Sequence, residues 1–445
     1  MSTEAKTVGV KVIEVYFPSR RVQQRGPQND RLAMRDSKAG DSYVFCDDRE
    51  DEKSMALTVL ASLFRSRPQA VHPGSIGRLE LAITSADPAS RSLGSLLKPF
   101  FHPAGNTSIV GVQSVPGCEG GQDAILNTVN WIHSSEWDGR DGLVVLGSVQ
   151  QAEKEEGVAL AAVLIGPHAP VVLDECPRAL CFRHPCERFH HDSSSTSPSS
   201  DENFLSCLAQ CYRQIQSQDM IQQEQGATER PDRRNRALTL DRFQRVLFQC
   251  PSLRLTRKAY AYLLYLDFLA NPDHAHFDSM DTTTQAIAQG RGFVDDEVQD
   301  TFYALSDARY EERIRPSLAF LNICGYAHAA TLWASLASVL ASGMPDDQQP
   351  GPSRVLLFAY GDGVMSAMYT ATMSTDAPGI IDSDSFRERL EEGTVVPQET
   401  FDCVNKSAAQ GGIKPSGNIE AIGRDTYYLH RINADGEREY RLKKN

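Results

Sequence analysis

Apolar residues gather in short dense runs early in the chain and again near its end, with polar or helix-patterned stretches between them. VGVKVIEVYF (8–17), LELAITSA (79–86), LVVLGSV (143–149) and ALAAVLIG (159–166) have the length and composition of strands. RVLLFAYGDG (354–363) and MSAMYTATM (365–373) form the clearest later pair, while AATLWASLASVLA (329–341) repeats its apolar residues at helical spacing. Short strands mixed with helical patterns predict a mixed α/β chain. Two segments break the pattern: SSSTSPSSDEN (193–203) and QQEQGATERPDRRNR (222–236) read as polar loops. FLSCLAQCYRQI between them has helical spacing, with Asp201 as its candidate cap. The expected organisation is an N-terminal half over 1–170, a variable insertion with polar loops over 171–237, and a C-terminal half over 238–445.

Composition narrows the reading. A chain of 445 residues with 41% hydrophobic content can bury a large core. It has no apolar run of the roughly 18 residues that would predict a membrane span. MSTEAKTVGV lacks the basic and apolar regions of a secretory signal, so a cytoplasmic location is expected. Ten cysteines at irregular intervals predict free thiols rather than a disulfide framework. The net charge of -13 speaks against a nucleic-acid surface, though a local basic patch can still hold a phosphate-bearing ligand. Cys176, Cys181, His184, Cys186, His190 and His191 are near one another in sequence but match no standard ligand spacing, so no metal is expected.

The strongest chemical signal is Cys118 in Gly117-Cys118-Glu119-Gly120-Gly121, between an apolar stretch and a helical one. The first amides of a helix lack intrahelical partners and carry the positive end of its dipole, which lowers the pKa of a thiol there. Gly120 and Gly121 are expected to leave room for a bulky thioester. The surrounding run QSVPGCEGGQDAILNTVNWIHSSEWDGRDGLVVLGS (113–148) closely resembles the nucleophile region of 3-hydroxy-3-methylglutaryl-CoA synthases. So do VGVKVIEVYFPSRRV (8–22), FCDDREDEKSMALTVL (45–60), LAAVLIGPHAP (160–170), SLASVLASG (335–343) and GNIEAIGRDTYYLHRI (417–432), in the family's order along nearly the whole chain.

The resemblance implies a thiolase-like layered α/β/α/β/α fold made from two related halves, a site where the halves meet, and a homodimer. It also implies a reaction. The cysteine accepts an acetyl group from acetyl-CoA, a glutamate assists removal of a methyl proton, the resulting carbon nucleophile attacks the ketone of acetoacetyl-CoA, and hydrolysis frees the product. Acyl-CoA or an acyl carrier protein's phosphopantetheine thioester is the implied substrate or partner, with no tightly bound cofactor. Arg254 and Lys258, four residues apart and so on one helix face, match cationic positions used near CoA phosphates.

Departures from the family cluster around the same chemistry. Thr84 stands where the family has its glutamate and Gln249 where it has its histidine; neither side chain titrates as the original does. Asp87 is a displaced candidate base. Ser148 replaces an aspartate, Glu119 an aromatic residue, and QQAEKEEG (150–157) a Gly-rich loop. Gly361-Asp362-Gly363 replaces Gly-Ser-Gly, and Cys324-Gly325-Tyr326-Ala327-His328 replaces an asparagine-rich segment. The expectation is a diverged acyltransferase in specialised metabolism that loads Cys118 and passes the acyl group to carbon, oxygen or nitrogen, with Asp362 and His328 brought to the thiol. The alternatives are an authentic hydroxymethylglutaryl-CoA synthase with substitute groups, and a non-catalytic scaffold.

Overall fold

The computed structural model describes residues 7–24, 40–68, 71–84, 93–114, 118–149, 156–182, 200–226, 238–343, 352–361, 365–374, 379–409, 415, 419–420, 422–434 and 436–444. In chain order the elements begin with β1 (Val8–Tyr16), β2 (Arg20–Gln23), β3 (Ser42–Val44), α1 (Glu52–Ser66), β4 (Ile76–Thr84) and α2 (Leu93–Leu97). They continue with α3 (Cys118–His133), β5 (Asp141–Ser148), β6 (Ala159–Pro167), β7 (Val171–Phe182), α4 (Ser200–Gly226), β8 (Arg245–Phe248) and α5 (Leu253–Ala270). Next are α6 (Thr282–Arg291), α7 (Asp296–Arg313), α8 (Ala319–Cys324), α9 (Ala329–Ser342), β9 (Ser353–Gly361) and β10 (Met365–Met373). The last are α10 (Ser383–Glu391), β11 (Thr394–Val396), α11 (Gln398–Ala409), β12 (Tyr427–Ile432) and β13 (Arg438–Leu442).

Strand order reveals a duplication that sequence identity hides. The main sheet runs β4-β5-β6-β1-β7-β10-β9-β8, a palindrome about the short β1–β7 contact. In the first half β4 is parallel to β5, and β5–β6 and β6–β1 are antiparallel. In the second, β8 is parallel to β9, and β9–β10 and β10–β7 are antiparallel. The parallel pairs β4/β5 and β8/β9 each need a crossover, and α3 and α9 supply it. The stretch 171–237, expected as an insertion, therefore contains β7 and α4, which hold in the second half the places of β1 and α1 in the first. Helix α4 also runs to Gly226, into the segment read as polar loop, and Asp201 lies in its first turn.

Period-two alternation divides these strands between layers. On β5, Val144 and Leu146 join the central core with α3 and α9, while Leu143 and Val145 pack outward with α1 and α2. On β9, Val355, Leu357 and Ala359 face the same central core, and Leu356, Phe358 and Tyr360 join the outer layer of α4, α5 and α7. The order from one side to the other is helices, half-sheet, α3 with α9, half-sheet, helices. This is the thiolase-like layered fold. Because both faces of each half-sheet are covered, strands such as ALAAVLIG read as continuous apolar runs.

Local chemistry fixes the elements. Asp51 caps α1 by accepting from the Lys53 and Ser54 amides, and the Ser54 hydroxyl accepts in return from the Asp51 N–H. Ser252 caps α5 through the Leu255 amide at 3.2 Å. Gly121 is required by packing: a Cβ there would lie 2.6 Å from the Ala329 methyl, so α3 and α9 touch at their first turns. Gly147, at φ 140°, lets β5 pass beside Ala330, whose methyl a Cβ would approach to 2.9 Å.

Candidate active site

The two central helices begin side by side at the end of β5. Cys118 is the first residue of α3, and the Gly121–Ala329 approach brings that turn against the first turn of α9. The space Gly121 leaves open is taken by Ala329 rather than left for a thioester, contrary to the sequence expectation. The side chains of Cys118 and Glu119 lie outside the described residues, as do Asp87 and Asp362, so the expected Asp362–His328 pair has only one described member.

His328 is the residue before α9, with φ 50° and ψ -127°, a conformation that non-glycine residues rarely adopt. Its carbonyl accepts from the Thr331 amide at 3.0 Å, and its ring packs against Tyr326 at 4.9 Å between centroids. Among the described residues a carboxylate near it is that of Glu156: His328 Nε2 is 3.8 Å from Glu156 Oε1, and both side chains are largely buried. A bridge between Glu156 and Tyr326, with the Gly157 amide donating to the Tyr326 carbonyl at 2.9 Å, fixes the two segments together. Glu156 was missed from sequence. Its signal was there: three acidic residues in the segment that replaces a family loop, set against an imidazole in another replaced segment.

Thr84 and Gln249 occupy equivalent places in the two halves, one at the end of β4 and the other just after β8. Thr84 is half-buried opposite the fully buried Ser148, and its carbonyl accepts from the Val149 amide at 3.0 Å. Gln249, 1% exposed, donates from its side-chain amide to the Tyr360 carbonyl at 2.8 Å, so part of its hydrogen-bonding capacity joins β8 to the end of β9. Arg254 makes an ion pair with Asp201 of α4. Lys258, one turn further along α5, has no ion-pair partner among the described residues.

Four of the other described thiols are poor competitors for acylation. Burial pushes the Cys250 thiol up to about 12 and raises those of Cys46, Cys211 and Cys324 as well. Cys181 donates to Gln210 Oε1 at 3.1 Å; Cys176's side chain, His184, Cys186, His190 and His191 lie outside the described residues. Two polar side chains on α3 that sequence reasoning passed over stand out. The pKa of the Asp123 carboxyl is raised by desolvation, and the Gln122 carboxamide is buried without a hydrogen-bond partner among the described residues.

A cysteine opens one central helix and a histidine precedes the other, between half-sheets of repeated topology in a thiolase-like layered fold. The sequence profile of the hydroxymethylglutaryl-coenzyme A synthase N-terminal region matches residues 4–170, and that of the C-terminal region matches 182–443. The chain belongs to the hydroxymethylglutaryl-CoA synthase family. It is 36% identical over 468 aligned residues to hydroxymethylglutaryl-CoA synthase erg13B of Aspergillus fumigatus strain Af293, with all of both chains covered. Among solved structures it is similar to MvaS in complex with 3-hydroxy-3-methylglutaryl coenzyme A, with a TM-score of 0.75, 20% identity, and coverage of 99% of this chain and 100% of that one. The HMG synthase of the curacin biosynthetic pathway in complex with holo donor-ACP gives a TM-score of 0.69 at 16% identity, covering 98% of this chain and 99% of that one.

Proposed function

We propose that this chain is a hydroxymethylglutaryl-CoA-synthase-type condensing enzyme. The Cys118 thiolate attacks the carbonyl of an acetyl thioester and expels the donor thiol. A base takes a methyl proton, the carbon adds to the ketone of an acetoacetyl thioester, the alkoxide is protonated, and water cleaves the enzyme thioester to free Cys118. This reverses the order reached from sequence, where a generic acyl transfer came first. Full-length similarity to named synthases favours condensation, and His328 is a candidate proton carrier where Thr84 and Gln249 are not.

The observation carrying this reading is the His328–Glu156 couple at the start of α9. An imidazole is a side chain of the type that can take and return a proton, and the Glu156 carboxylate lies 3.8 Å from its Nε2. Thr84 and Gln249 favour a second reading, in which the acyl group passes to an oxygen or nitrogen nucleophile and no methyl proton is removed. Intact-protein mass after incubation with acetyl-CoA, followed by acetoacetyl-CoA and product analysis, separates the two. An adduct that is discharged into hydroxymethylglutaryl-CoA supports condensation; an adduct discharged only to hydroxyl or amine acceptors overturns it.

The donor thioester is carried by CoA or by an acyl carrier protein, and Lys258 at the half-buried face of α5 is the cation left for its phosphates. A homodimer completes the proposal. The backbone at 110–114 pairs with β4, where the Leu79 and Leu81 amides donate to the Val110 and Val112 carbonyls at 2.8 and 3.0 Å. Its valines are 52% and 56% exposed at the sheet margin. An open edge carrying apolar side chains fits pairing with a second copy. Val112→Lys should shift the protein to monomer in sedimentation; an unchanged dimer would place the interface elsewhere.

A further inference from the structure

Gln122 lies four residues after Cys118 on α3, hence on the same helix face and about 6 Å further along the axis. Long helical side chains lean back toward the N-terminus, so its carboxamide covers the turn that begins with Cys118. The residue is 4% exposed, and among the described residues neither Nε2 nor Oε1 has a hydrogen-bond partner. A buried amide left unpaired at both ends is destabilising. Two orphaned groups, one donor and one acceptor, are therefore held one helical turn from Cys118.

The geometry points to Gln122 as a specificity-determining residue that reads an oxygen on the β-carbon of the chain carried by Cys118; this rests on the proposed acylation of that cysteine. The chemistry of the pair selects the ligand. A carboxylate would accept from Nε2 but be repelled by Oε1, and a plain alkyl chain would satisfy neither. A hydroxyl accepts from Nε2–H and donates to Oε1, satisfying both, and a ketone satisfies the donor. The substrate class is thus a β-oxygenated acyl group. In the condensation above, the ketone that becomes a hydroxyl on carbon–carbon bond formation is such a group, so Gln122 binds the forming alcohol better than the ketone and favours the addition.

The test compares acylation of the full-length protein by butyryl-CoA and 3-hydroxybutyryl-CoA, read by intact mass, in wild type and Gln122→Met. Wild type should prefer the hydroxyacyl thioester by about tenfold, as expected for a site with a buried group awaiting a hydroxyl. In Gln122→Met the two thioesters should react at similar rates. The melting temperature of Gln122→Met without ligand should rise, because an unpaired buried amide is replaced by a thioether of similar shape. Equal wild-type rates, a preference retained in the variant, or a variant that melts lower or fails to fold would each overturn the assignment. Acylation without preference defeats this inference alone; no acylation of Cys118 by either thioester or by acetyl-CoA defeats the functional reading as well.

Discussion

The two halves of this molecule share a strand order and a crossover helix, yet the starts of those helices carry opposite chemistry. Helix α3 opens on a cysteine, and α9 is preceded by a histidine held at φ 50° beside Glu156. Repetition supplies the geometry: equivalent crossover helices come together in the central layer, and Gly121 lets their first turns meet. On the proposed reading divergence supplies the function, with the nucleophile at one helix start and the proton carrier at the other. The difference teaches that the site should be read as a pair of equivalent positions rather than as one motif.

Removing the nucleophile breaks the comparison most completely. Cys118→Ala should abolish the acyl adduct in intact-mass spectra; an adduct of unchanged mass and yield would move the nucleophile to another thiol. On the other side of the pair, His328→Ala should lower condensation by about 10² to 10⁴ while leaving the Cys118 adduct detectable. Steady-state turnover and adduct formation, measured on the same sample, check that split.

Glu156→Gln should act in the same direction but less, by about tenfold, since the imidazole stays and only its charged neighbour is lost. The loss should fall on kcat more than on KM, which a purely structural role would not single out. Gly121→Ala tests the helix contact itself. The overpacking against Ala329 is expected to cost about 1 to 3 kcal/mol, against a helix-propensity gain of about 1 kcal/mol, so denaturant unfolding should show net destabilisation.

The smallest effect contrasts this central layer with the outer layer of the second half. There Asp267 is buried and accepts from the Leu240 amide at 3.0 Å, the Tyr212 hydroxyl at 2.9 Å and the Gln216 amide at 2.8 Å. Burial outweighs those bonds and pushes its carboxyl up to about 7. A carboxyl whose folded pKa is raised contributes stability that is full below its unfolded value, near 4, and is lost as pH rises through about 7. Melting temperature should therefore fall by a few degrees from pH 4 to 7 on this account, and Asp267→Asn should flatten the slope. A slope unchanged in the variant would assign it to other groups.

Much of the fold was legible because the strands are covered on both faces. Burial makes them near-continuous apolar runs, so β6 and β10 fall where their residues predict them, and α9 follows its helical period. Strand β7 was hidden because Asp174, Glu175 and Pro177 interrupt VVLDECPRALCF, and the register against β10 shifts between Leu173 and Arg178. Asp174 is accommodated there by the hydroxyls of Thr370 and Thr372, which donate to it across the strands. Cys118 could be found from sequence because its neighbours in space include its neighbours in chain. Glu156 could not be linked to His328 that way, since 171 intervening positions separate two residues that the fold brings to 3.8 Å. Gln122 is not singled out by sequence because a glutamine in a helix is ordinary; its burial without a partner among the described residues makes it informative.

The central claim is that His328 of the second half moves a proton on the acyl group held by Cys118 of the first. Deuterium incorporation into the acetyl group of acetyl-Cys118, followed by mass of the peptide containing that residue in heavy water without acceptor, tests it most directly. The account predicts that the wild-type acetyl group gains deuterium at its methyl carbon while acetylated His328→Ala does not. Equal incorporation in both proteins, or none in wild type that nevertheless forms hydroxymethylglutaryl-CoA, would contradict it.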